Sequence, residues 1–132
     1  MGLHLFIGYN EDQIIKTDIL YWDPPFIFET LEEEGIRMAT IEEIAAMKLD
    51  VISRGGRKKD FWDLVELLHS VSLPDMLEIY NEKYPYHDIT TVKAGLTNFS
   101  VADEMPDPIC LRNLNWEMVK EKIIAEAGIV NT

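Results

Sequence analysis

Two β-strands with apolar residues on both faces constrain this chain most. Leu3 to Gly8 and Gln13 to Trp22 read as strands around the turn Tyr9-Asn10-Glu11-Asp12, a hairpin that Pro24-Pro25 closes. Along the second strand, Ile15, Thr17, Ile19 and Tyr21 share one face, and Ile14, Lys16, Asp18, Leu20 and Trp22 share the other. An isolated two-stranded ribbon is marginal in water. A ribbon apolar on both sides belongs inside a larger sheet or between helices. Of these, the expectation is that the chain begins partway through a fold.

The remaining chain reads as helices. Thr40-Ile41-Glu42-Glu43 has the form of a capping box, in which the Thr40 hydroxyl takes the Glu43 amide and Glu43 reaches back. That helix runs to about Ser53 and stops at Gly55-Gly56. A second covers about Asp60 to His69, and a third starts at Ser72, before Pro74, and ends before Pro85. A fourth spans Asp88 to about Asn98. After a Pro-rich, acidic loop from Asp103 to Pro108, a last helix runs from about Trp116 to Ala127, with Gly128 as its stop. The class is therefore α+β: a β-hairpin with about five α-helices. The 132 residues suffice for a single domain with a real core.

Composition removes several functions. The net charge of −12 argues against binding nucleic acid or anionic membrane through bulk charge, so a phosphate-bearing partner needs a local basic site. No apolar run is long enough to span a bilayer. Cys110 is the single cysteine, which excludes an internal disulfide and a cysteine zinc cage and fits a reducing, cytoplasmic compartment. His4, His69 and His87 are far apart and lack metal-ligand spacing. No serine sits in a nucleophile-elbow pattern. Trp62, Tyr80, Phe99 and Trp116 fall at core spacings and read as packing.

Four places carry possible chemistry. Lys48 falls near the middle of the apolar stripe formed by Ile41, Ile44, Ala45, Val51 and Ile52. Burying an ammonium is costly without an anion, so Lys48 either snorkels, pairs with a carboxylate, or is held for a ligand phosphate. Arg54, Arg57, Lys58 and Lys59 place four of the twelve basic residues within six positions around Gly55-Gly56, ahead of a helix N-terminus that favours anions. The segment is a solvated loop or the required basic site. Asp60 and Asp63 project from one side of the second helix. Either Asp60 complements the helix dipole while Asp63 pairs with Lys59, or both anchor Lys48 or a basic side chain near a nucleotide. Asp18 is a mid-strand carboxylate that pairs with Lys16 or binds a cation.

In this order the motifs resemble one family. Lys16-Thr17-Asp18-Ile19-Leu20, Gly35-Ile36-Arg37-Met38-Ala39, Ile44-Ala45-Ala46-Met47-Lys48-Leu49 and Arg57-Lys58-Lys59-Asp60-Phe61-Trp62-Asp63-Leu64 resemble segments of the AbiEii/AbiGii-type nucleotidyltransferase toxins of toxin–antitoxin and abortive-infection systems. Lys93-Ala94-Gly95-Leu96-Thr97-Asn98-Phe99 adds to the likeness, which runs from about Leu5 to Lys122. It implies transfer of a nucleotide from a nucleoside triphosphate to an acceptor, nucleic acid among the possible acceptors. It also implies Mg2+ held by three strand carboxylates. By this resemblance Asp18 is the third carboxylate and a metal ligand, Lys48 faces the nucleotide phosphates with Arg57 and Lys59 beside it, and Asp60 and Asp63 are the motif carboxylates.

The resemblance also implies an earlier Gly-Ser turn and a D-x-D pair, which the 17 residues before Asp18 do not contain. Residues 1–39 are then a partial nucleotidyltransferase core, its hairpin a remnant of that sheet, and 40–132 a helical C-terminal part. The expectation is a truncated toxin-like protein, idle and without bound metal by itself. The alternatives are a non-catalytic interaction module or homodimer, or one subunit of a two-chain enzyme whose partner supplies the missing half.

Overall fold

The computed structural model describes residues 2–21 and 25–131; Trp22 and Pro24, the expected end of the second strand, lie outside them. The hairpin forms as read. β1 (Gly2–Gly8) and β2 (Ile14–Leu20) pair antiparallel, with His4 opposite Asp18 and Phe6 opposite Lys16. Its apolar side chains do not pack between helices: Phe6 is 71% and Ile15 72% exposed, and Leu3, Ile7, Ile19 and Leu20 are exposed too. Each strand has one partner, so among the described residues both edges and both faces remain open.

A second, shorter hairpin follows where no strand was expected, β3 (Leu31–Glu33) with β4 (Ile36–Met38). Glu34 and Gly35 make its two-residue turn, both at positive φ (51° and 80°), which matches the strand twist of a type I′ connection.

Five longer helices and one short helical turn follow among the described residues. α1 (Ile41–Ser53) starts at Thr40, whose hydroxyl accepts the Glu43 amide at 3.1 Å. α2 (Lys58–Leu67) begins earlier than expected because Asp60 reaches back to the Arg57 amide at 3.0 Å. Ser72 caps α3 (Leu73–Lys83), Asp88 caps α4 (Ile89–Leu96), and Asn115 caps α6 (Trp116–Val130), each accepting a first-turn amide. α5 (Ser100–Asp103) is a single turn. Gly128 does not stop the last helix. It lies inside α6, which continues to Val130. No helix is long and apolar enough to cross a membrane among the described residues.

α1 is the hub, packing against α2, α3 and α4, while α6 closes over α2, α3 and α4. Its buried stripe is Ala45, Ala46, Leu49 and Ile52. They meet Phe61 and Leu64 of α2, Met76 and Tyr80 of α3, and Val92 and Leu96 of α4 in one core. The expected stripe is thereby corrected: Ile41 and Ile44 are exposed, and Lys48 sits beside the core face rather than within it. Close approach of α4 to α1 needs Gly95, where a Cβ would stand 2.7 Å from the Ile52 carbonyl. Phe61, Phe99 and Trp116 pack edge to face at 5.0–6.0 Å, and Trp62 stacks on Trp116.

One ion pair lies wholly inside. Glu43 and Lys83 are 0% exposed at their side chains, with Nζ 2.8 Å from Oε2. Oε1 of Glu43 accepts the Ile27 and Phe28 amides at 2.7 and 3.1 Å, and Lys83 donates to the Pro25 carbonyl at 3.1 Å. Glu43 therefore does not close the expected capping box; it straps the segment before β3 onto α1 and α3. Removing one member of such a pair strands the other charge, so Lys83→Met should cost about 3–5 kcal/mol, read from the urea midpoint. Glu43→Gln, which keeps an acceptor for the two amides, should cost less than Glu43→Leu.

Candidate functional site

α1 and α2 bring three of the sequence candidates together. From α1, Lys48 Nζ reaches Asp60 Oδ1 and Asp63 Oδ2 on α2, both at 3.0 Å. Both acids thus pair with Lys48, and Asp63 turns to it rather than to Lys59. Helix spacing explains this: Asp60 and Asp63, three apart, line the side of α2 that faces α1. Asp60 is the buried partner, its side chain 6% exposed, with Lys48 at 19% and Asp63 exposed. The second oxygen of Asp60 takes the Arg57 amide, so one carboxylate both caps α2 and fixes the lysine.

Electrostatics favour the charged forms of Asp60 and Lys48. Burial pushes the Asp60 carboxyl up, but the Arg57 amide and the Lys48 ammonium outweigh it and hold Asp60 below the usual carboxylate range. Burial likewise opposes the charge on Lys48, and the hydrogen bonds to Asp63 and Asp60 overcome it, leaving Lys48 above the usual lysine range. Two of its three N–H donors are committed to carboxylates. The third is left for another acceptor beside a shallow pocket of about 220 Å³ lined by Ile44, Met47 and Val51.

The basic segment splits up. Arg54 turns to Asp50 at 2.8 Å, and Lys58 to Asp107 at 2.8 Å while lying 5.4 Å above the Trp116 ring. Arg57 and Lys59 stay exposed, and neither enters an ion pair among the described residues. With Lys58 they line an open groove of about 370 Å³ against Met105, Pro106, Asp107 and Pro108. Counting Lys48, Arg57 and Lys59 against Asp60 and Asp63 leaves this end of α2 with one surplus positive charge, on a chain of net charge −12.

Asp18 is held apart in the hairpin. Across the strands, His4 Nδ1 lies 2.6 Å from its Oδ1, and Lys16 Nζ lies 3.5 Å from its Oδ2. The His4 hydrogen bond, with the smaller pull of Lys16, holds the Asp18 carboxyl below its usual value. Both neighbours are basic or neutral. Among the described residues no three acidic, histidine or cysteine side chains gather as a metal site. The described residues around Asp18 therefore do not by themselves fit a pair of Mg2+ ions, each of which requires several oxygen ligands.

Sequence reasoning missed a second cluster on another side of α1. Asp50 holds Arg54, and its Oδ1 lies 3.3 Å from His87 Nδ1, which also meets the Tyr80 hydroxyl at 3.0 Å. The spacing of Asp50 and Arg54, four apart on a helix, was the one available signal.

Lowered Asp60 and raised Lys48 pKa values fix the sign of a pH test. The Asp60 contribution to stability is complete above its unfolded-chain value and disappears as pH falls through the folded one. The Lys48 contribution is complete below its unfolded-chain value and disappears as pH rises through the folded one. Lys48→Met should cost about 1–3 kcal/mol at neutral pH by leaving Asp60 unpaired. It should also flatten the alkaline limb and shift the acid limb to higher pH in urea midpoints measured against pH.

A family model described as "Nucleotidyl transferase AbiEii toxin, Type IV TA system" matches residues 4–127. No curated protein and no solved structure matches the chain.

Proposed function

From a chain that belongs to the AbiEii family of nucleotidyl transferase toxins, we propose a nucleotide-binding half-site, with transfer activity only where further carboxylates are supplied. The observation that carries this reading is the Lys48–Asp60–Asp63 triad. Asp60 and Asp63 orient the ammonium without using all its donors, and the remaining N–H meets a triphosphate oxygen of the nucleoside triphosphate. Arg57 and Lys59, exposed at the start of α2, add the charge that offsets the two acids. Fixing the phosphates in this way lowers the entropic cost of aligning them for attack by an acceptor hydroxyl.

Asp18 is the carboxylate that β2 offers to such a site. Its His4 and Lys16 partners favour the ionised form but provide no companion acid. The missing oxygens come from strands that pair with the open edges of β1–β2, whether from a preceding segment or from a partner chain. Both faces of that hairpin carry exposed apolar side chains which such strands would cover. A homodimer formed through the same edges is the second reading. Concentration-dependent mass in analytical ultracentrifugation, abolished by Phe6→Lys, would favour it.

The principal test uses a labelled nucleoside triphosphate and the chain alone. Weak binding, indifferent to Mg2+ and lost in Lys48→Ala, is expected. Low-micromolar binding that requires Mg2+ would overturn the half-site, because it would demand a complete metal site in this polypeptide.

A further inference from the structure

Strand register sorts the first hairpin into two unlike faces. Residues paired across the ladder share a face, and successive residues alternate. Leu3–Ile19, Leu5–Thr17 and Ile7–Ile15 therefore lie on one face, and His4–Asp18 and Phe6–Lys16 on the other. The second face carries every ionisable side chain of the two strands. The first carries none: five aliphatic side chains accompany a single hydroxyl, that of Thr17. Leu3, Ile7, Ile15 and Ile19 are each more than half exposed, and none of the five joins the core. A contiguous aliphatic face kept clear of charge is a surface made for burial.

Its size and charge suit a second copy of the same chain. Seven residues per strand give a face about 24 Å long and two strands wide, and two such faces meeting bury on the order of 1,000 Å², where specific interfaces begin. A net charge of −12 opposes association elsewhere on the molecule, but here no like charges are brought together. The nearest acids, Glu11 and Asp12, sit in the turn at one end. A two-fold axis running across the strands places the two turns at opposite ends of the sandwich. They then stand about a ribbon length apart, beyond the ~8 Å screening distance at physiological salt.

We propose that this aliphatic face is a self-association surface, on which two copies of the chain pack sheet against sheet about that axis. Leu3 then meets Ile7 of the second copy, and Ile15 meets its Ile19. The two Thr17 hydroxyls face each other at the centre, where each can donate to or accept from the other. The Asp18 faces point outward and the ladder edges stay free, so the contact differs from edge pairing and does not depend on the half-site reading.

Sedimentation equilibrium of the full chain, from micromolar to millimolar concentration, tests the surface. A monomer–dimer equilibrium in the micromolar range is expected, tightening as salt screens the net charge. Ile15→Lys should weaken it about tenfold or more, because an ammonium would be buried against aliphatic side chains. Phe6→Lys, on the other face, should leave it unchanged. Both positions are exposed in the single chain, so neither lysine disturbs the helical core, which amide NMR verifies. In a mixture of labelled and unlabelled chain, methyl contacts Leu3–Ile7 and Ile15–Ile19 should appear between copies. A monomer at every concentration would overturn the proposal, as would a dimer that survives Ile15→Lys. Loss of the dimer in Phe6→Lys alone would also overturn it, in favour of the edge-paired arrangement.

Discussion

A fully dehydrated ion pair holds this architecture together. Glu43 enters the protein at the first turn of α1 and Lys83 at the last turn of α3, and neither side chain touches solvent. Such a pair persists only when the remaining lone pairs and protons are also satisfied. Here the Ile27 and Phe28 amides and the Pro25 carbonyl complete it, and the Lys83 ammonium lies 5.4 Å above the Phe26 ring. Residues 25–28 are thereby fixed to α1 and α3 by polar contacts. That strap also builds one wall of a cavity of about 670 Å³ between it and the α3–α4 connection.

α1 serves three environments around a single axis. Ala45, Ala46, Leu49 and Ile52 form the core face, small enough for α4 to approach at Gly95. Lys48 looks toward α2 and its two acids, and Asp50 looks toward the α3–α4 connection with its tyrosines and histidine. A helix packed on several sides is rigid, and that rigidity fixes the Lys48 ammonium between its two acids. The hairpin stands in contrast, since His4 and Lys16 hold Asp18 at a surface whose apolar neighbours are uncovered. The Lys48–Asp60–Asp63 triad is preassembled, whereas Asp18 lacks companion acids among the described residues.

Much of the helical layout was legible because its punctuation is local. Thr40, Ser72 and Asp88 each bond an amide two or three residues ahead, and such caps need no tertiary context. Gly128 misled because glycine stops a helix only when the following chain adopts a left-handed turn; here nothing crowds it and α6 runs on. The β3–β4 hairpin escaped notice because its strands have three residues each, too short for alternation to register. At the site, Asp60 and Asp63 were visible by their spacing, but their choice of Lys48 over Lys59 depends on how closely α2 lies against α1.

The sequence by itself determined the local chemistry: which segments become helices, where the first hairpin turns, and that Lys48, Asp60 and Asp63 are unusual where they stand. Local rules suffice there because the interacting groups are within four positions of each other, or betray themselves by a charge set among apolar neighbours. Only the tertiary structure decided which charges meet across long separations. Glu43 looked like half of a capping box, and no local pattern singled out Lys83. Their union, 40 positions apart, depends on desolvation. Once α3 packs on α1 and excludes water, each charge needs the other more than it needs its own helix terminus.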